Sequence, residues 1–271
     1  MMKSGLCSIS LQQLGMEEII ALVQKAGLDA IEWAGNAHVQ PGEIELASKV
    51  RKMTEEAGLE VSSYGSYWKV VTPDGQPDDF GPVLESALAL GTDTIRIWAG
   101  HKPSDAVTEA ERETIHEGIR AALEAGEKHG VKLGLEFHAN TLSDSNASTL
   151  DLLAAIPHAN FYTYWQPIYW LTDPPYRMDG LKKLADKVLN MHVFHWMFSP
   201  GRGDWGESTD RRPLVEGADD WREYFSIPLC PEMEHYALME FVRKDRPEQF
   251  LEDAAVLKSW LSSKKLETAD V

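Results

Sequence analysis

GVKLGLEFHANTLSDSNASTLDLLAAI spans residues 130–156. It holds a glycine, nine residues of strand character (VKLGLEFHA, 131–139), a polar loop and an apolar helical run (NASTLDLLAAI, 146–156). The glycine stands where the preceding helix should be capped. Upstream, the same unit recurs. GLCSISL (5–11) leads to GMEEIIALVQKAG (15–27), and LDAIEWAG (28–35) to IELASKVRKMTEEAG (44–58). LEVSSYGSY (59–67) leads to DFGPVLESALALG (79–91), and TDTIRIWAG (92–100) to a long helix over 104–130. Gly27, Gly58, Gly91 and Gly130 each occupy a helix-end position. Downstream, HANFYTYWQP (158–167), MHVFHW (191–196) and HYALMEFV (235–242) read as strands six to eight. Helices are expected over 178–190, 219–227 and 247–263, with a Gly-, Pro- and Asp-rich loop over 199–219. Strands alternating with helices at this spacing predict a parallel sheet with crossover helices. Eight such units suit a closed barrel, and the first turn, SLQQLG, lacks the GxGxxG of an open dinucleotide-binding sheet. The expected fold is α/β, a single (β/α)8 domain over residues 1–271.

Composition narrows the partners. A length of 271 residues with 43% hydrophobic content is enough for one barrel core. The formal net charge of -17 opposes nucleic acid and anionic membrane, and leaves small neutral or polar substrates. Cys7 and Cys230 have neither a disulfide framework nor metal-type spacing, which points to a reducing, cytoplasmic setting. No signal peptide and no run of 18 apolar residues is read in the chain.

Within 133–139, LGLEFHA, a carboxylate interrupts an apolar run, and a buried carboxylate needs a partner. YWQP (164–167), NMHVFHW (190–196) and LMEFV (238–242) raise the same question. In a barrel, chemistry sits at the C-terminal strand ends. Glu136, Gln166, His192 and Glu240 fall there on strands five to eight, and adjacent strands lie about 4.8 Å apart. Two carboxylates, an imidazole and an amide oxygen form a shell for Mn²⁺, Mg²⁺ or Co²⁺, with Zn²⁺ as an alternative. A single polar residue at a strand end is also an ordinary loop anchor; four on successive strands favour the metal.

IEW (31–33), LEFH (135–138), MHVFHW (191–196) and MEFVRKD (239–245) give the chain a resemblance to the xylose isomerase-like TIM barrels of the sugar phosphate isomerase/epimerase superfamily. The superfamily includes ketose 3-epimerases, hydroxypyruvate isomerase, inosose dehydratase and endonuclease IV. The resemblance implies a divalent metal held by Glu, Asp, His and Glu, which match Glu136, Gln166, His192 and Glu240. The amide at Gln166 departs from the family's carboxylate and leaves the site one negative charge poorer. The family pattern also carries ligation to His192 and substrate contact to His195, three places on; an exchange of those roles stays open. In a strand, an i, i+3 pair faces opposite sides. Arg202 resembles an arginine that touches substrate hydroxyls in epimerases. Family members are often dimers or tetramers, so a homo-oligomer is allowed.

Glu32, His38, Trp68 and His138 complete the candidate rim, each with packing or a loop hydrogen bond as its plain alternative. Trp33, Trp98, Trp165 and Trp196 also fall near strand ends, where aromatic faces suit sugar C–H surfaces or simply pack the barrel. The expected reaction is isomerisation or epimerisation of a ketose or polyol-derived ketone through an enediolate, with Glu136 and Glu240 as the acid/base pair. An inosose-type dehydratase and a non-catalytic sugar- or metal-binding barrel are the alternatives. DNA repair is disfavoured by the charge and by the lack of further histidines on strands two and three.

Overall fold

The computed structural model describes residues 2–168, 170, 173–198 and 209–269. Eight parallel strands close into a barrel. They are β1 (Lys3–Cys7), β2 (Ala30–Ala34), β3 (Glu60–Gly65), β4 (Thr94–Ile97), β5 (Lys132–Leu135), β6 (Phe161–Trp165), β7 (Val188–Val193) and β10 (Tyr236–Met239). Each pairs with its neighbours in chain order, and β10 closes the ring on β1 with Gly5 opposite Leu238. Between β7 and β10 an antiparallel pair stands outside the barrel, β8 (His195–Phe198) with β9 (Thr209–Arg212).

The crossover helices are α1 (Met16–Ala26), α2 (Ile44–Glu56), α3 (Gly81–Leu90), α4 (Glu109–Glu127), α5 (Asn146–Ala155), α6 (Pro174–Leu184), α7 (Ala218–Ser226) and α8 (Pro247–Ala269). Their ends follow local chemistry. Glu18 accepts from Gly15 N at 2.8 Å at the start of α1, and Gly27 ends it at φ 64°, where a side chain would be strained. Thr108 and Glu111 form a reciprocal cap on α4. The alternation within strands sets the layers. Ile31 and Trp33 join the large core between barrel and helices, whereas Ala30 belongs to a separate cluster inside the barrel with Tyr164, Tyr236 and Leu238. Residues of Ala30's parity on β2, Glu32 among them, therefore face the barrel axis.

Four expectations are corrected. β1 ends at Cys7, and Ser8–Leu11 is a short 3-10 helix. β7 begins at Val188, inside the stretch read as helix, because the helical run stops at Leu184 and Ala185–Lys187 makes one tight turn. Finally, His192 and His195 are not on one strand. Phe194 separates them, its carbonyl accepts from Trp221 Nε1 at 2.9 Å, and β8 starts anew at His195 in another direction. Part of the expected 199–219 loop is likewise β9.

Candidate active site

The C-terminal strand ends gather the ionisable groups. Glu136 directly follows β5, Gln166 follows β6, His192 lies in β7 and Glu240 follows β10. The ladder runs one residue past the strands and fixes two of them: Glu136 N donates to Ile97 O at 2.9 Å, and Glu240 N to Val193 O at 3.1 Å. The loop beyond Glu136 is tied back by the Ser143 hydroxyl, 2.6 Å from Glu136 O.

All four side chains meet, and all are buried. His192 Nδ1 lies 3.0 Å from Gln166 Oε1, 3.3 Å from Glu240 Oε2 and 3.9 Å from Glu136 Oε1. Gln166 Nε2 donates to Phe137 O at 2.6 Å. That bond orients the amide with its oxygen toward the imidazole, so His192 Nδ1 is the donor of the pair. On the other edge of the ring, Nε2 is buried without a hydrogen bond, 3.6 Å from Glu32 Oε1. Burial opposes a charged imidazole here, but Glu240 and Glu32 outweigh it and push the His192 pKa up to about 9. Burial also works against ionising Glu240, and His192 more than reverses this, holding its pKa below the ordinary carboxylate value.

Beneath this group lies a pair that the sequence reading missed. Arg96, on β4, is fully buried; its Nε is 2.9 Å from Glu32 Oε1, and its Nη1 is ion-paired with Glu136 Oε2. Trp98 Nε1 donates to the same Glu136 oxygen. Glu32 further accepts from Ser63 Oγ at 2.7 Å and from Cys7 Sγ at 3.1 Å. Gly65 makes room: a Cβ there would stand 2.6 Å from Arg96 Nη2 and 2.9 Å from Glu32 Oε1. The signal was available in TIRI (94–97), where a guanidinium interrupts an apolar strand just as Glu136 does.

Above the four residues opens a cavity of about 270 Å³, walled by Tyr67, Trp98, His138, Trp196 and Phe241 and floored by Glu136, Gln166 and Glu240. His138 stacks on Trp98 with ring centres 4.1 Å apart, and burial lowers its pKa. Tyr67 and Phe241 both hold left-handed backbone, at φ 57° and 51°, a strain that clusters at functional sites. A larger cavity of about 420 Å³ lies at the opposite end, among the first residues of β4, β5 and β10. It contains none of the four convergent residues, and that end of the fold carries stability rather than chemistry.

The remaining candidates are placed elsewhere. Glu32 is under the floor, bound by Arg96, and does not line the cavity. His38 is 3.0 Å from Ser8 Oγ and 3.3 Å from Leu14 O, a buried loop clamp. Trp68 packs on Phe80 with ring centres 4.8 Å apart. His195 is half-buried against Gly217 and is absent from the cavity wall, which takes its neighbour Trp196 instead. Trp33 and Trp165 are core residues; Trp165 packs on Tyr224. Arg202 lies outside the described residues.

The donor set fits a divalent cation. Glu136, His192 and Glu240 each offer one ligand atom, and the three lie within 4.8 Å of one another in a buried site. Gln166 Oε1 adds a neutral oxygen beside the imidazole. Cys7, Glu32 and His192 form a second group of the same compactness, but both Glu32 oxygens there are already taken, Oε1 by Arg96 and Cys7 and Oε2 by Ser63.

The family model for the xylose isomerase-like TIM barrel matches residues 20–260. A 3-dehydroshikimate dehydratase of Bacillus anthracis is 26% identical over 268 residues, covering 89% of this chain and 91% of that protein. The crystal structure of the probable 3-DHS dehydratase AsbF from the same organism superposes with a TM-score of 0.75 at 22% identity, over 95% of this chain and 99% of the other. An L-ribulose 3-epimerase structure superposes with a TM-score of 0.68 at 16% identity, over 100% and 99% of the two chains. No helix among the described residues is long and apolar enough to cross a membrane. With the match extending over most of its length, the chain belongs to the xylose isomerase-like TIM barrel family.

Proposed function

We propose that the protein is a divalent-metal-dependent enzyme that removes a proton next to the carbonyl of a small hydroxyketone. The observation that supports this best is the convergence of Glu136 and Glu240 on Nδ1 of His192 beneath an aromatic-walled cavity. Glu136, Gln166, His192 and Glu240 would hold the cation. A bound divalent cation would polarise a substrate carbonyl and stabilise negative charge developing on its oxygen.

The chain's own groups do the rest. Arg96 and Trp98 hold Oε2 of Glu136, which fixes that carboxylate and makes it the more constrained of the two. Among the described residues Glu240 meets only His192 Nδ1 at 3.3 Å and the weak Cys7 Sγ donor at 3.9 Å, and it takes the α-proton. His138, stacked on Trp98 and kept uncharged by burial, stands on the cavity wall as a further proton carrier. Tyr67, Trp98, Trp196 and Phe241 exclude water from the site. Return of a proton from the far side gives an epimer, and return to the adjacent carbon gives an isomer. Loss of a β-hydroxyl gives dehydration; the 26% identity to a 3-dehydroshikimate dehydratase favours this third outcome.

The test is solvent exchange. Protein loaded with Mn²⁺, Mg²⁺ or Co²⁺ is incubated in D₂O with 3-dehydroshikimate, L-ribulose and related ketoses, and products are identified by NMR. Deuterium at the carbon next to the carbonyl is the expected result of epimerisation or isomerisation; dehydration loses that proton without replacing it, and its expected result is the dehydrated product itself. Absence of both exchange and dehydration with every hydroxyketone by metal-loaded protein would reject the reading.

A further inference from the structure

Two side chains that line the cavity keep their hydrogen-bonding groups uncommitted. Gln12, at the end of the 3-10 helix after β1, and Asn36, in the turn after β2, both line the cavity and are exposed. Neither side chain makes a hydrogen bond among the described residues; Gln12 is held through its backbone, its N–H donating to Ile9 O at 3.3 Å. Other polar groups of the cavity are spent. Trp98 Nε1 donates to Glu136, Trp196 Nε1 to Phe241 O at 3.3 Å and Gln166 Nε2 to Phe137 O, and His138 Nδ1 lies 2.8 Å from Ala139 O.

A frame of hydrogen bonds fixes the two segments that carry these amides. Ser8 Oγ accepts from Ala34 N at 2.8 Å, which joins the chain after β1 to the end of β2. His38 closes the frame. Its Nδ1 lies 3.0 Å from Ser8 Oγ and its Nε2 3.3 Å from Leu14 O, so it grips both sides of the segment bearing Gln12 from a point just beyond Asn36. The Leu14 carbonyl can only accept, which puts the ring proton on Nε2 and leaves Nδ1 to accept from Ser8. Burial lowers the His38 pKa and so favours this neutral form. In the ring of eight strands, β1 and β2 stand opposite β5 and β6, which lead into Glu136 and Gln166. A hydroxyketone that reaches the floor at Glu136 and Gln166 and fills the cavity therefore meets Gln12 and Asn36 with its opposite end.

We propose that Gln12 and Asn36 are specificity-determining residues that hydrogen-bond hydroxyl groups at the end of the substrate remote from the reacting carbonyl, so that the enzyme selects polyhydroxylated ketones over analogues lacking those hydroxyls. This rests on the hydroxyketone reading of the same site. An exposed amide is satisfied by water, and a ligand that displaces that water has to return its hydrogen bonds. An amide presents an acceptor oxygen beside a donor nitrogen, and a hydroxyl both donates and accepts, so hydroxyls answer both groups. A carboxylate would answer the nitrogen alone, and a methyl group neither.

Binding, rather than turnover, tests it. Calorimetric titrations of manganese-loaded protein would use two matched pairs that differ in hydroxyls away from the carbonyl: L-ribulose with dihydroxyacetone, and scyllo-inosose with 2-hydroxycyclohexanone. The wild-type protein should bind the polyhydroxylated member of one pair at least about tenfold more tightly, at about two- to tenfold per hydrogen bond. Gln12→Met and Asn36→Leu should each lower that ratio. The double variant should bring it close to one while leaving the smaller member's affinity unchanged; both residues are exposed, so the fold does not depend on their packing. An unchanged ratio in the double variant, no preference in the wild type, an equal loss for both members of a pair, or no binding of any of the four overturns the proposal. So does a preference for 3-dehydroshikimate over its methyl ester that the double variant loses, since the subsite would then take a carboxylate. α-Proton exchange in D₂O and dehydration, followed by NMR on the same samples, keep the two readings apart. Either reaction without an amide-dependent preference removes only the role of Gln12 and Asn36. An amide-dependent preference without either reaction removes only the proton-abstraction reading.

Discussion

Gln166 Oε1 accepts a hydrogen bond from His192 Nδ1 at 3.0 Å, while the other end of the Gln166 amide donates to Phe137 O at 2.6 Å. The amide is thus oriented by its nitrogen and read by its oxygen, a division that a carboxylate cannot reproduce. Gln166→Glu would place an anionic oxygen against the Phe137 carbonyl and lose the bond. In metal-free protein this should cost about 1–3 kcal/mol, the usual penalty for a buried acceptor left without a donor. The added charge should strengthen cation binding, so Mn²⁺ should raise the melting temperature of Gln166→Glu more than that of the wild type. Thermal melts with and without Mn²⁺ measure both effects. Equal shifts in the two proteins would show that residue 166 does not meet the cation.

Arg96 is the structural keystone under the site. Its side chain is fully buried between Glu32 and Glu136. Arg96→Met leaves Glu32 without its main counter-charge and should destabilise the protein by about 3–5 kcal/mol, as expected when one partner of a buried pair is removed. The double change with Glu32→Gln should recover much of that loss, because the stranded carboxylate is then gone. Urea unfolding of the two variants decides. If the double variant is no more stable than the single one, the cost comes from lost packing rather than from an uncompensated charge.

His192 gives the metal-free protein a definite pH dependence. Its folded pKa of about 9 lies above the ordinary 6.5, so the charged ring favours folding. That contribution is complete below about pH 6.5 and is lost as the pH rises through about 9. A cation needs the same nitrogen deprotonated, so its affinity should climb by about tenfold per pH unit from 7 to 9 and then level off. His192→Ala should lose the cation and flatten both profiles. His195→Ala should retain the cation, since His195 packs against Gly217. Metal analysis of the purified variants and melts across pH 6–10 test this. Cation loss from His195→Ala would contradict the placement of β8.

Much of this site was visible as charge out of place. LGLEFHA and LMEFV each carry a carboxylate through an apolar strand, and the barrel rule then brings those strand ends together. The repeating glycines were equally legible, and Gly27, Gly58, Gly91 and Gly130 all take positive φ. Arg96 obeys the same logic, but it lies on strand four, outside the run of strands five to eight that carries the other charged strand ends. Other features leave no such trace. The separation of His192 from His195 depends on Trp221 Nε1, 27 residues along the chain, capturing the Phe194 carbonyl. His38, Trp68 and Glu32 sit at the right height in their strands and loops, but their neighbours Ser8, Phe80 and Arg96 turn them into packing and buried hydrogen bonds. β9 arises in a stretch whose composition reads as loop, since its pairing with β8 is tertiary.

Glu136 and Glu240 differ in a way that bears on which of them moves protons. Oε2 of Glu136 is occupied by Arg96 Nη1 and Trp98 Nε1, whereas among the described residues Glu240 faces only His192 at 3.3 Å and the weak Cys7 thiol donor at 3.9 Å. A carboxylate with one oxygen already holding two donors is the less mobile of the two. Each variant, Glu136→Gln and Glu240→Gln, should be loaded with excess Mn²⁺ so that loss of cation is not mistaken for loss of a base. In D₂O, Glu240→Gln should then lose α-proton exchange by about 10²- to 10⁴-fold, the usual worth of a general base. Glu136→Gln should retain more exchange and, where the substrate epimerises, should favour one epimer over the other. Equal residual exchange in both variants would transfer the base to another group on the cavity wall. His138 is then the side chain to change, because it stacks on Trp98 within the cavity, whereas His195 lies outside it.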